Sequence, residues 1–70
     1  MWTKGTINGF EYHVKHFDEG SVFGIDGGRI SKLWIAKNGK EYACYDRGWD
    51  KAPTDPEAKA VLDELIKKYN

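Results

Sequence analysis

The chain lacks most of what holds a small protein together. Its 70 residues contain one cysteine, Cys44, so no disulfide can form within it. Neither Cys-x-x-Cys nor His-x-x-x-His spacing occurs, which excludes a zinc ligand set of the usual kind. No charge is in excess: Lys+Arg and Asp+Glu are both 11, whereas a dedicated nucleic-acid binder is usually basic. No apolar run reaches membrane-spanning length, and the start Met1-Trp2-Thr3-Lys4-Gly5 has no signal-peptide apolar region. The expectation is a cytoplasmic protein without membrane contact. No Ser/His/Asp constellation and no acid–base pair of carboxylates can be argued, so the expectation extends to no enzyme, no cofactor and no metal.

What is present is turn chemistry. Asn8-Gly9 and Asn38-Gly39 each lie between runs that alternate apolar and polar. Asn-Gly tolerates the positive φ of a type I′ turn, so each marks a hairpin and fixes which residues share a face. Around Asn8-Gly9, Ile7 falls opposite Phe10, Gly5 opposite Tyr12 and Thr3 opposite Val14. These six share the predicted core face, with Gly5 leaving room for the Tyr12 ring. Trp2, Lys4, Thr6, Glu11, His13 and Lys15 take the other face. Around Asn38-Gly39, unbroken alternation sets Ile35 opposite Tyr42, Leu33 opposite Cys44, Trp34 opposite Ala43, Lys32 opposite Tyr45 and Ile30 opposite Arg47. The Leu33/Ile35/Cys44 face is assigned to the core.

Asp18–Ser21 and Asp26–Gly28 read as turns, with a short fifth strand conceivable over Val22–Ile25 despite Gly24. Residues 48–53 form a connector. Thr54-Asp55-Pro56-Glu57 fits a capping box with Thr54 as N-cap, opening a helix over 54–69. Ala58, Val61, Leu62, Leu65 and Tyr69 recur at helical spacing as one apolar stripe. The predicted fold is therefore α+β in a single domain, 1–70: an antiparallel sheet of four strands over 1–47 with one C-terminal helix on one face.

If the helix covers one face, the opposite one gathers Trp2, Lys4, Glu11, His13, Lys15, Lys32, Trp34, Glu41, Tyr45 and Arg47. Large uncovered aromatics usually mark a contact site. Trp2, Lys4, Lys15, Lys32, Trp34, Tyr45, Arg47 and Trp49 are the candidate binding residues. A protein partner would use Trp, Tyr and Arg as anchors. The alternative is nucleic acid, with basic side chains on phosphate and rings on bases. The structural explanation is that the Asp18–Gly28 segment folds over this face, or that a homodimer buries it. A core this small rarely supplies more than about 3–5 kcal/mol.

Three further features favour structural roles. Ser21–Arg29 is glycine-rich like a phosphate cradle, but a strand follows it where a helix is required, so turn glycines explain it better. Tyr45–Asp50 is dense in contact-making residues, yet Arg29 and Arg47 paired with Asp26, Asp46 or Asp50 would serve equally to pin a connector. His13, His16, Cys44 and Asp46 are the sole metal or thiol candidates. The predicted pairing sends His13 and Cys44 to opposite faces and leaves Cys44 a buried, inert thiol.

Trp2-x-x-Gly5-x-Ile7-x-Gly9, Ser21-x-Phe23-Gly24-Ile25, Gly28-Arg29-Ile30-Ser31-Lys32-Leu33 and Tyr45-Asp46-Arg47-Gly48-Trp49-Asp50 resemble a family of small proteins of unknown function. Its members are encoded by phages and mobile elements of Gram-positive anaerobic bacteria. The resemblance covers nearly the whole chain and assigns no residue a role. It implies a small standalone protein in a setting where binding and blocking a host component is common. The functional expectation is a non-enzymatic protein-binding module acting through the uncovered sheet face, with nucleic-acid binding as the alternative.

Overall fold

The computed structural model describes residues 1–70. Five strands run in order: β1 (Trp2–Ile7), β2 (Phe10–His16), β3 (Ile30–Lys37), β4 (Lys40–Asp46) and β5 (Trp49–Lys51). They form one antiparallel meander in which every strand pairs with its neighbours in sequence. One helix, α1 (Pro56–Tyr69), packs on the β2–β3 side of the sheet. Asn8-Gly9 joins β1 to β2 and Asn38-Gly39 joins β3 to β4, with all four residues at positive φ. Between β1 and β2, Ile7 pairs Phe10, Gly5 pairs Tyr12 and Thr3 pairs Val14. A Cβ on Gly5 would meet the Tyr12 ring at 2.5–2.9 Å, so the ring does lie across that backbone.

The sheet has five strands rather than four, and the fifth is not Val22–Ile25. That segment spends its hydrogen bonds on itself: Gly24 N–H donates to Ser21 O, Gly27 N–H to Gly24 O and Gly28 N–H to Ile25 O. A single 3-10 turn, Ile25–Gly27, results, and no ladder can form from it. The fifth strand instead comes from the expected connector, whose first half pairs with β4.

The larger correction concerns register. β4 carries an extra residue, Tyr42, between the pairs Ala36–Glu41 and Ile35–Ala43. A one-residue bulge reverses the facing of everything beyond it. Leu33 therefore pairs Tyr45, and Trp34 pairs Cys44. Ala43 and Tyr45 enter the core, while Cys44 leaves it. A second bulge, at Ser31 in β3 opposite the Lys15–His16 step, lets Ile30 and Leu33 both face inward three residues apart.

The helix begins one residue later than the capping box implies. Asp55, not Thr54, is the N-cap: its Oδ1 accepts from Glu57 N–H at 2.8 Å and Ala58 N–H at 3.3 Å. Pro56 then fills the first helical position, where its missing N–H leaves nothing unpaired. Ala58, Val61 and Leu65 are fully buried against Phe10, Tyr12, Val14, Ile30, Leu33 and Ile35, with Leu62, Ile66 and Tyr69 packed alongside. Ile25 joins this same cluster. The glycine-rich segment therefore closes one end of the helix side; on the opposite face Ser21 and Phe23 reach only the edge beside Lys15 and Lys32 and leave Trp2 and Trp34 uncovered.

Candidate functional site

The uncovered face is ordered in rows by strand pairing. The first row runs Trp2, Lys15, Lys32, Asp46; the second Lys4, His13, Trp34, Cys44, Lys51; the third Thr6, Glu11, Ala36, Glu41. Trp2, Lys4, Lys15, Lys32 and Trp34 thus share the face on which the alternation places them. Tyr45 does not: the Tyr42 bulge turns it inward, where it is 6% exposed and donates its hydroxyl to Phe23 O at 2.8 Å. Trp49 packs edge-on against Tyr45, with ring centroids 5.0 Å apart, and stands 42% exposed at the rim of the helix side. Arg47 lies in the β4–β5 turn at φ 57°.

At the middle of the face is a depression of about 210 Å³ among Trp2, His13, Trp34 and Cys44. Trp2 is 54% exposed beside it. Trp34 is half-buried and held from two sides: the His13 ring meets it edge-on at 4.9 Å, and its Nε1–H donates to Glu41 Oε2 at 3.1 Å. Lys32 and Asp46 line the depression from the first row, with Lys15 next to them in that row; Glu11 and Glu41 stand in the third row, beyond Trp34. The face is polarised from basic to acidic.

His13 and Cys44 occupy this one face, contrary to the unbulged pairing. Trp34 stands between them, and two strand spacings put their backbones roughly 9–10 Å apart, so they do not form a thiol–imidazole pair. Burial raises the Cys44 pKa above its ordinary value, and the carboxylates of Glu41, Asp50 and Asp46 raise it further. Such a thiol stays protonated and unreactive. No three His, Cys, Asp or Glu side chains come together as a metal-holding group.

The glycine-rich segment offers no phosphate cradle. The N–H groups of Ser21, Phe23, Gly24, Gly27 and Gly28 are all donated within the segment. Of the two arginines, Arg47 pairs with Asp46 at 3.5 Å, while Arg29 makes no ion pair. The alternation of the sequence did not bring Cys44 and Asp46 to the open face. Nor did it set Phe17 and Phe23 beside the basic end of the sheet; their one signal was two large aromatics within a turn-rich stretch.

No helix is long and apolar enough to cross a membrane. No curated protein and no solved structure matches the chain. One family model matches it over residues 1–70. The chain belongs to that family, described as a domain of unknown function, DUF7678.

Proposed function

We propose that the chain is a non-enzymatic binding module that docks a protein partner on the open face of its sheet. One observation carries this: a whole face of a five-stranded sheet has no second layer, and the Trp2–His13–Trp34–Cys44 depression lies in its middle. Exposed apolar surface rimmed by charge is the common mark of a contact site, and Trp is among the residues that anchor one. The partner sets an apolar side chain into the depression, acidic groups toward Lys15 and Lys32, and basic groups toward Glu11 and Glu41. The setting suggested by the resemblance belongs to the same proposal: a phage or mobile-element inhibitor or accessory factor. A duplex laid along this face is disfavoured, because Glu11, Glu41 and Asp46 share it with the lysines and Tyr45 has left it.

The test compares the wild-type chain with Trp34→Ser, Lys32→Glu and the outer-helix variant Lys59→Ala, each checked for native circular dichroism. The expected result is a host protein retained by wild type and Lys59→Ala and lost by the two face variants. The purified pair should then form a 1:1 complex in which iodide no longer quenches Trp34. Two results overturn the proposal: no protein separates the variants, or the chain alone forms a tight dimer with Trp2 and Trp34 already protected.

A further inference from the structure

The basic end of the sheet holds a second feature, which adjoins the central depression and shares Lys32 with it. A cavity of about 250 Å³ opens there between the end of β2, the Ser31 bulge and the β4–β5 turn. Lys15, Lys32 and Arg47 converge on it from three different segments, and Phe17 and Phe23 form its apolar wall. The sole carboxylate paired with these cations is Asp46, 3.7 Å from Lys32 Nζ and 3.5 Å from Arg47 Nε. Three cations against one carboxylate leave two positive charges over. Only Nε of Arg47 is engaged, so its terminal N–H groups stay free to fork onto an oxyanion.

The aromatic wall is held in place by the backbone. Phe23 N–H donates to Ser21 Oγ at 3.2 Å, and Phe23 C=O accepts from the buried Tyr45 hydroxyl at 2.8 Å, yet its ring is 57% exposed. Phe17 N–H donates to Arg29 O at 3.1 Å, and its ring, 48% exposed, lies 5.5 Å from Lys15 Nζ. The Arg47 backbone is fixed as well: its N–H donates to Ser31 O at 2.9 Å, and the residue holds a left-handed conformation that side chains rarely adopt, while its guanidinium stands exposed beside Asp46. An electropositive cavity with an anchored backbone and two presented rings combines the elements that bind a phosphate and stack a base. The space is larger than a bare phosphate requires.

We infer that the cavity between Lys15, Lys32, Arg47, Phe17 and Phe23 binds a nucleoside phosphate, its phosphate on the three cations and its base against the phenylalanine rings. Two sources share this chemistry, a free mononucleotide and a nucleotide of a single strand.

The test follows backbone amide shifts of the full-length chain titrated with AMP, adenosine, inorganic phosphate and a twelve-residue thymidine oligonucleotide. AMP is expected to shift the amides of Ser31, Phe23 and Arg47 saturably, with adenosine at least tenfold weaker. Arg47→Gly removes one cation at a position whose positive φ glycine accepts freely, and should weaken AMP at least tenfold with the fold intact. Lys15→Gln with Lys32→Gln provides a second loss of charge that leaves the turn alone. Phe23→Ala should weaken AMP but not inorganic phosphate. Oligonucleotide binding tenfold tighter than AMP at the same amides identifies a strand as the source; equal or weaker binding identifies the free nucleotide. The inference is overturned if neither probe shifts these amides, or if the charge variants leave AMP binding unchanged. It is also overturned if a phosphoserine peptide binds as tightly as AMP with Phe23→Ala silent. Trp34→Ser leaves this binding unaltered, so its failure and that of the protein-docking proposal are separable.

Discussion

Asn70 joins three parts of the molecule with one residue. Its Oδ1 accepts from Ile30 N–H at 2.9 Å, its Nδ2 donates to Ile25 O at 3.0 Å, and its own N–H caps Ile66 O at 3.0 Å. Helix end, 3-10 turn and the start of β3 are thereby tied together. Asn70→Ala leaves a partly buried donor and acceptor unpaired, which costs about 1–3 kcal/mol. The expected outcome is a lower urea midpoint together with faster hydrogen exchange at the Ile30 amide. An Ile30 amide as protected as in wild type would sink this account. Tyr12 gives a prediction of different kind. Hydrogen bonding to the Tyr69 phenol raises its pKa above the ordinary tyrosine value of 10.0; burial and the charge of Tyr69 add to this, and Lys68 partly opposes it. The folded state therefore binds the phenolic proton more tightly than the unfolded state. This contribution is complete below pH 10 and is lost as the pH rises through the folded pKa. Thermal midpoints measured from pH 8 to 11 should fall less steeply for Tyr12→Phe than for wild type; parallel curves would show that the phenol contributes nothing.

Among the elements, the Tyr42 bulge decides the most. Without it, Cys44 would be a core residue and Ala43 would face solvent; with it, Ala43 is wholly buried and Cys44 borders the open depression. The two neighbours thus report the register. Ala43→Lys places a charge in the core with no partner and should cost several kcal/mol, enough to unfold so small a domain. Cys44→Ser should change stability by no more than about 1 kcal/mol. Circular dichroism of both variants is the check, and the reverse pattern would restore the unbulged pairing. The first strand pair was legible in the sequence, because Phe10, Tyr12 and Val14 alternate with polar residues and the two-residue Asn8-Gly9 loop sets their register against Ile7, Gly5 and Thr3. The second was not. Lys40–Arg47 carries apolar residues on both faces, so alternation alone could not reveal an extra residue. The Asp55 cap was one residue out for a related reason, since Thr54 and Asp55 both suit an N-cap and only the actual backbone path chooses between them.

At the scale of the whole molecule, the α+β class, the antiparallel sheet and the single C-terminal helix were present in the pattern of turns and apolar spacing, while the fifth strand at Trp49–Lys51 was not. The Trp2, Lys4, Lys15, Lys32 and Trp34 portion of the face was also legible. The cavity at the basic end was not, because Phe17, Phe23, Ser31 and Arg47 meet there only through two bulges and a turn. This architecture has a cost in stability. The helix side of the sheet, closed by α1 and Ile25, holds nearly the whole core, and the open side adds little beyond Ala36 and part of Trp34. Leu65 is completely buried at the centre of that contact. Leu65→Ala removes its side chain and leaves a void, a change worth about 2–5 kcal/mol. A domain of this size commands only about 3–5 kcal/mol in total. The variant should therefore be largely unfolded at 25 °C, with flattened near-ultraviolet dichroism and no cooperative melt, whereas Trp34→Ser on the open face should melt within a few degrees of wild type. If Leu65→Ala still melts cooperatively near the wild-type temperature, stability must come from self-association on the open face, and sedimentation of the wild-type chain would then show a dimer whose tryptophans iodide cannot reach.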